Sequence, residues 1–144
     1  MKKLWMMVAC AALAGCATSP IPSEKAVNAP SDRVYEYSKP QSDNDSELVI
    51  VRDSGFLGSG CRAAVYVDDK LSAMLSKSEK VSLYVPSGEH LLAVSPSGNG
   101  ICGVGDAKNS LKRTITITAK PRHRSDFRIA VLGDGGLTLM QTTL

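Results

Sequence analysis

From Glu47 onwards the chain alternates short runs of Val, Ile, Leu, Tyr and Thr with clusters of Gly, Asp, Asn, Ser and Pro. Such a pattern reads as strands punctuated by turns. Leu48-Val49-Ile50-Val51 is an unbroken apolar run of buried-strand length, and residues 62–67 form a second run after Gly55, Gly58 and Gly60. Val81-Ser82-Leu83-Tyr84-Val85 alternates cleanly, and residues 89–95 resume the pattern after the turn Pro86-Ser87-Gly88. Thr114-Ile115-Thr116-Ile117-Thr118 has one polar face, Phe127, Ile129 and Val131 share a face, and Leu137 and Leu139 return after Asp134-Gly135-Gly136. Strands recurring about every ten residues predict an all-β fold, a small antiparallel β-sandwich or barrel rather than strands joined by crossover helices. Residues 71–80 fit two elements, a strand or a short helix with Leu71, Met74 and Leu75 on one face.

Residues 17–45 lack this periodicity. Pro20, Pro22, Pro30 and Pro40 stand there among Ser, Asn, Asp, Glu and Lys, which predicts a flexible tether. A coil of about 30 residues has an end-to-end distance of roughly 30 Å, enough to clear lipid headgroups. Within it, Arg33-Val34-Tyr35-Glu36-Tyr37 could instead pair as an edge strand or dock on a partner.

The N-terminus carries a different signal. Lys2-Lys3, an apolar run over residues 4–13, and Leu13-Ala14-Gly15-Cys16 follow one another as in a bacterial lipoprotein export signal. The run is too short for the roughly 20 residues of a transmembrane helix, and no later run replaces it. Cys16 is therefore the expected lipidation site and first mature residue, carrying diacylglycerol and palmitate-type chains. Two or three such chains anchor firmly, where one gives only marginal binding. Ala17 and Thr18 after the cysteine match the outer-membrane default in cells that possess an outer membrane, with the domain facing the periplasm. The expected organisation is a signal peptide at 1–15, lipidated Cys16 and a tether to 45, and a sandwich over 46–144.

Loss of Lys2 and Lys3 with the signal lowers the formal net charge from +3 to +1. A nearly neutral mature chain argues against a nucleic-acid partner, which needs a basic footprint. Of the four cysteines, Cys10 leaves with the signal and Cys16 is lipidated, so Cys61 and Cys102 remain in an oxidising compartment. They are expected to form one disulfide. The rivals are two free buried thiols and a metal site, although isolated His90 and His123 supply no ligand spacing. No cofactor is expected.

The stretch Ala64-Val65-Tyr66-Val67-Asp68-Asp69-Lys70-Leu71, followed by Val81-Ser82-Leu83-Tyr84-Val85-Pro86-Ser87-Gly88-Glu89-His90-Leu91, resembles a PEGA-type domain. Such domains read as a strand ending in V-x-V-D-G-K and, further on, a strand running into a P-x-G-x-H turn. The resemblance implies a small β-sandwich module on an exported bacterial surface protein and is silent on activity. It is also similar to a set of small bacterial lipoproteins with a cysteine just before the first strand and another in a Gly-rich loop, as Cys61 and Cys102 stand here. Asp69 stands where the family has Gly, in a turn that favours left-handed residues.

Three motifs invite chemistry. Gly98-Asn99-Gly100-Ile101-Cys102-Gly103 spells G-x-G-x-x-G, but no amphipathic helix follows to present amides to a pyrophosphate, so it reads as a disulfide-pinned loop. Asp43, Asp45 and Glu47 start like a calcium loop, yet Leu48 and Ser54 occupy the Gly and Glu positions. Lys112, Arg113, Lys120, Arg122, His123, Arg124 and Arg128 oppose only Asp126. Lys120, Arg122, Arg124 and Arg128 are thus a candidate face for anionic headgroups, lipopolysaccharide phosphates or an acidic protein. The alternative is a charged edge that blocks strand addition. His90 and His123 assemble no triad by sequence, and His90 fits a turn-flanking place. The expected role is a non-enzymatic binding or scaffolding module with an envelope protein, glycan or anionic lipid as partner. The alternative is an inhibitor or immunity-type lipoprotein contacting an envelope-attacking enzyme through loops 54–60 or 98–106. A hydrolase is the third class.

Overall fold

A computed structural model of the chain describes residues 18–55, 60–98, 102, 111–133 and 135–142. The expected export signal and Cys16 lie outside the described residues. Nine strands occur among those described: β1 (Val27–Asn28), β2 (Ser46–Arg52), β3 (Arg62–Val67), β4 (Lys70–Leu75), β5 (Glu79–Val85), β6 (Gly88–Ser97), β7 (Arg113–Ala119), β8 (Arg124–Val131) and β9 (Leu137–Thr142). They form a five-stranded sheet in the order β1-β5-β2-β8-β9 and a four-stranded sheet in the order β4-β3-β6-β7.

The alternation read from the sequence sets the packing. Leu48 and Ile50 of β2, Val81, Leu83 and Val85 of β5, and Phe127, Ile129 and Val131 of β8 point inward from one sheet. Val65 and Val67 of β3, Leu92 and Val94 of β6, and Ile117 of β7 meet them from the other. Interdigitated inner faces of this kind are the core of a β-sandwich, so the predicted class holds.

Two features depart from a purely antiparallel plan. β2 pairs parallel with β8, from Glu47 opposite Arg124 to Arg52 opposite Ile129, and the short β1 pairs parallel with β5. The chain leaves β2 for the second sheet and fills its free edge only after β7, entering from the same end at which β2 began. No sequence turn marks that long-range pairing.

The ambiguous stretch 71–80 is strand β4, a turn, and the start of β5. Its helix-like spacing has a local cause. The β3–β4 register shifts between Val65 and Tyr66, with Val65 opposite Ala73 and Tyr66 opposite Leu71, so Ser72 is an extra residue. A bulge of this kind breaks the period of two. Leu71 and Met74 then share the outer face while Ala73 and Leu75 face the core, which imitates an i, i+3 pattern.

The expected flexible tether is corrected by the structure. From Thr18 to Asp45 the chain is a strap laid against the sandwich. Ile21 and Ala26 pack on Val49 and Val51, the outward side chains of β2. Those two valines are only 3% and 5% exposed, which no tether would achieve. Ser19 and Ser54 exchange backbone hydrogen bonds of 2.8 and 3.1 Å, and the Lys80 ammonium donates to the Ser23 carbonyl at 2.7 Å. A single 3-10 turn at Ser31–Arg33 follows β1. Val34 then bridges Ala73, the Tyr35 N–H donates to the carbonyl of the bulged Ser72 at 2.9 Å, and the Tyr84 N–H donates to the Tyr37 carbonyl at 2.8 Å. The edge-strand alternative for residues 33–37 is thus realised as one bridge. It covers the adjacent edges of β4 and β5, which would otherwise offer free backbone groups for pairing.

Arg33 fastens this strap. Its guanidinium forks onto both Glu79 carboxylate oxygens at 2.6 and 2.8 Å and also donates to the Met74 carbonyl at 3.1 Å. Burial pushes the Glu79 carboxyl up, but the Arg33 hydrogen bonds and the Ser76 N–H outweigh it and hold the group below its ordinary 4.5. A carboxyl depressed in the folded state stabilises fully above its unfolded value and loses that contribution as pH falls through its folded value. Glu79→Gln is therefore expected to cost about 2 kcal/mol near pH 7, the scale of charge-assisted hydrogen bonds. The gap from the parent should narrow on acidification to about pH 3 in urea-melt series. A gap independent of pH would assign the cost to packing.

Candidate functional site

The Cys61 and Cys102 sulfurs are 2.04 Å apart, with 5.3 Å between their Cα atoms. This is the expected disulfide, tying the start of β3 to the connection between β6 and β7. Gly98 explains part of the G-x-G-x-x-G string. Its φ is +147°, and an added Cβ would lie 3.1 Å from the Cys102 Cβ. The glycine admits the disulfide rather than a phosphate. Residues 99–101 and 103–106 of that motif and loop, with 56–59 of the other loop named as an inhibitor surface, lie outside the described residues. Beside the disulfide, buried Arg52 donates to the carbonyls of Cys61 at 2.6 Å and Leu75 at 2.7 Å, joining the ends of β2, β3 and β4. Burial pushes this guanidinium below its ordinary value, opposed by the charge of Glu79.

The basic cluster divides. Arg128 on β8 forks onto Asp53, its Nε 2.6 Å from Oδ1 and its Nη2 on Oδ2, and Asp53 also accepts from the Thr18 hydroxyl at 3.1 Å. Arg124 folds onto Asp126, with Nη2 2.6 Å from Oδ1. The hydrogen bonds to these carboxylates raise both guanidinium values, against the desolvation of burial. Lys112 is 2.9 Å from Asp69 and its ammonium lies 5.0 Å from the centre of the Tyr66 ring. Lys120 and Arg122 are exposed in and beside the β7–β8 turn, where Arg122 has φ 53°. The four-residue anionic-ligand face is therefore reduced to Lys120 and Arg122, because two of its members are held by carboxylates. Sequence reasoning saw only Asp126 and missed Asp53, which lies far away along the chain.

The acidic run meets the same turn. Asp43, Asp45 and Glu47 line a shallow cleft of about 300 Å³ with Arg122, His123 and Arg124. Asp45 Oδ2 accepts the N–H groups of Gln41 at 2.7 Å and Ser42 at 3.2 Å, so it closes a turn. Among the described residues, no group of three or more His, Cys, Asp or Glu side chains is placed to hold a metal ion.

His90 sits at the same end of the sandwich. Its Nδ1 is 2.7 Å from Asp68 Oδ2 and its Nε2 is 2.7 Å from the Pro86 carbonyl, while the Leu91 N–H donates to Asp68 Oδ1 at 2.9 Å. Both ring nitrogens therefore lie within hydrogen-bonding distance of an oxygen. Burial pushes the Asp68 carboxyl up, but the His90 ring and the Leu91 N–H prevail and hold it below its ordinary value. Asp68 and Asp69 have φ of 49° and 63°, so the β3–β4 hairpin is a two-residue turn with both residues left-handed. Asp69 thus accepts the conformation for which Gly is favoured. His90 clips this hairpin to the β5–β6 turn.

Two grooves flank the strap. One of about 440 Å³ runs between residues 28–39 and the edge of β5, lined by Asn28, Ser31, Val34, Lys80, Ser82 and Tyr84. The other, about 410 Å³ and more apolar, lies between residues 20–24 and Val51, Phe127, Arg128 and Thr142. Their linings contain serines and lysines but no histidine, and Lys80 is committed to the Ser23 carbonyl. No helix among the described residues is long and apolar enough to cross a membrane. Compared with known proteins, the chain matches no family model and no curated protein.

Proposed function

We propose that this chain is a cell-envelope lipoprotein, anchored through acyl chains on Cys16, whose sandwich serves as a non-enzymatic binding or scaffolding module. The Cys61–Cys102 disulfide is the observation that carries the reading, since such bonds persist in oxidising compartments and the lipobox sends the chain to one. Two polar side chains that could invite catalysis are held in the fold, His90 by Asp68 and Pro86, and Arg128 by Asp53. In a cell with two membranes, Ala17 and Thr18 favour the outer one, with the sandwich in the periplasm. The partner is an envelope protein, a glycan or an anionic lipid, and no nucleic acid is involved.

Radiolabelled palmitate should enter the parent chain and be lost in Cys16→Ser, which should accumulate with its signal attached. Normal processing of that variant sinks the anchor. Crosslinking the lipidated protein in its own cells then separates the partner classes. One dominant protein at one-to-one stoichiometry points to an inhibitor-like role, while enriched glycan points to the exposed Lys120 and Arg122.

A further inference from the structure

We infer that the sandwich stands end-on against the bilayer that holds its acyl chains, with the C-terminal ends of β2 and β8 toward the lipid headgroups. The inference rests on the anchor at Cys16. A long tether would have left the orientation free, but the chain outside the structure is too short for that. Only Ala17 separates Cys16 from Thr18. Two peptide steps span at most about 7 Å.

Thr18 is itself fixed. Its hydroxyl donates to Asp53 at 3.1 Å, and the next residue, Ser19, exchanges backbone bonds with Ser54. Asp53 and Ser54 directly follow β2, so the anchor leaves from the end of the sandwich where β2 stops. The pairing registers place the ends of β4, β6 and β8 and the starts of β3, β5, β7 and β9 at that same end.

The described residues there suit a headgroup layer. Leu132, in the β8–β9 connection, is 39% exposed although large and apolar. Lys77 in the β4–β5 turn and Arg62 at the start of β3 are exposed cations at the same end. One apolar side chain to enter the interface and cations to meet phosphates are the usual pairing for a protein lying on lipid. The opposite end presents exposed Asp68, Asp69, Ser87 and Arg122 but also Lys70, Lys120 and the 43% exposed Leu91. The orientation therefore rests on where the anchor leaves the sandwich and not on a contrast in composition. The opposite end would point away from the membrane by the length of the strands, roughly 20–25 Å.

The mature chain has no tryptophan, since Trp5 lies in the signal, so single tryptophans report depth. Leu132→Trp and Ser87→Trp would be made in the lipidated protein. Each is reconstituted in phosphatidylethanolamine–phosphatidylglycerol vesicles whose acyl chains are brominated near the headgroup. Leu132→Trp should lose most of its emission and shift to the blue, and Ser87→Trp should keep its emission. Lys77→Trp repeats the measurement from another loop should the first variant fold poorly. Vesicle-bound protein with both ends unquenched, or both equally quenched, overturns the end-on placement and leaves the anchor intact. A chain that takes no palmitate and does not float with vesicles overturns the anchor and this orientation with it.

Discussion

Replacing Cys61 and Cys102 together with Ala is expected to lower the stability of the folded domain by about 4 kcal/mol, from the loop of 41 residues that their bond closes. The term grows only slowly with loop length. Against a typical total of about 5–15 kcal/mol, such a loss would leave the domain marginal at body temperature. The disulfide lies where Arg52 joins the ends of β2, β3 and β4, so its loss also loosens the carbonyl that this buried guanidinium uses on Cys61. Urea melts of the parent with and without reductant, beside the double Ala variant, check the result. Reduced parent and variant should melt together, well below oxidised parent. Equal midpoints for all three would mean that the cysteines are not joined in the mature protein.

The sandwich was legible because its signals are local. Val81, Leu83 and Val85 alternate with polar neighbours, and Phe127, Ile129 and Val131 repeat at a period of two, which burial on one face requires. The strap was not legible, and its prolines and polar residues pointed toward a coil. Its imprint was nevertheless present in β2. A strand with one solvated face should alternate, whereas Leu48-Val49-Ile50-Val51 does not, because Ile21 and Ala26 cover Val49 and Val51 from outside. An unbroken apolar strand in a small sandwich therefore asks for a cover, and the segment read as a tether was long enough to supply it. The helix-like spacing of Leu71, Met74 and Leu75 misled for a different reason, a single inserted residue at Ser72. The candidate site failed at the level of pairing. Arg33 with Glu79, Arg128 with Asp53 and Lys112 with Asp69 join residues more than forty positions apart, and nothing in a linear charge pattern announces such partners.

Arg128→Ala separates the two meanings of the basic cluster. Were Arg128 part of a face for anions, its loss would weaken binding to anionic vesicles and leave the melting temperature alone. The geometry predicts the reverse. The Asp53 side chain is 1% exposed and takes two hydrogen bonds from the Arg128 fork, so truncation leaves a buried carboxylate with the Thr18 hydroxyl as its remaining side-chain donor among the described residues. Removing one partner of a buried ion pair typically costs about 3–5 kcal/mol, because the uncompensated charge stays behind. The lower end of that range applies here, since the Arg128 side chain is 26% exposed and water can reach the vacated place. A double variant with Asp53→Asn should recover much of the loss, since no charge is then left buried, and the cycle of four melts gives the coupling directly. A melting temperature unmoved by Arg128→Ala would return Arg128 to the anion face. The expected fall would instead assign it to holding Asp53, and through Asp53 the residue at which the chain enters the sandwich from Cys16.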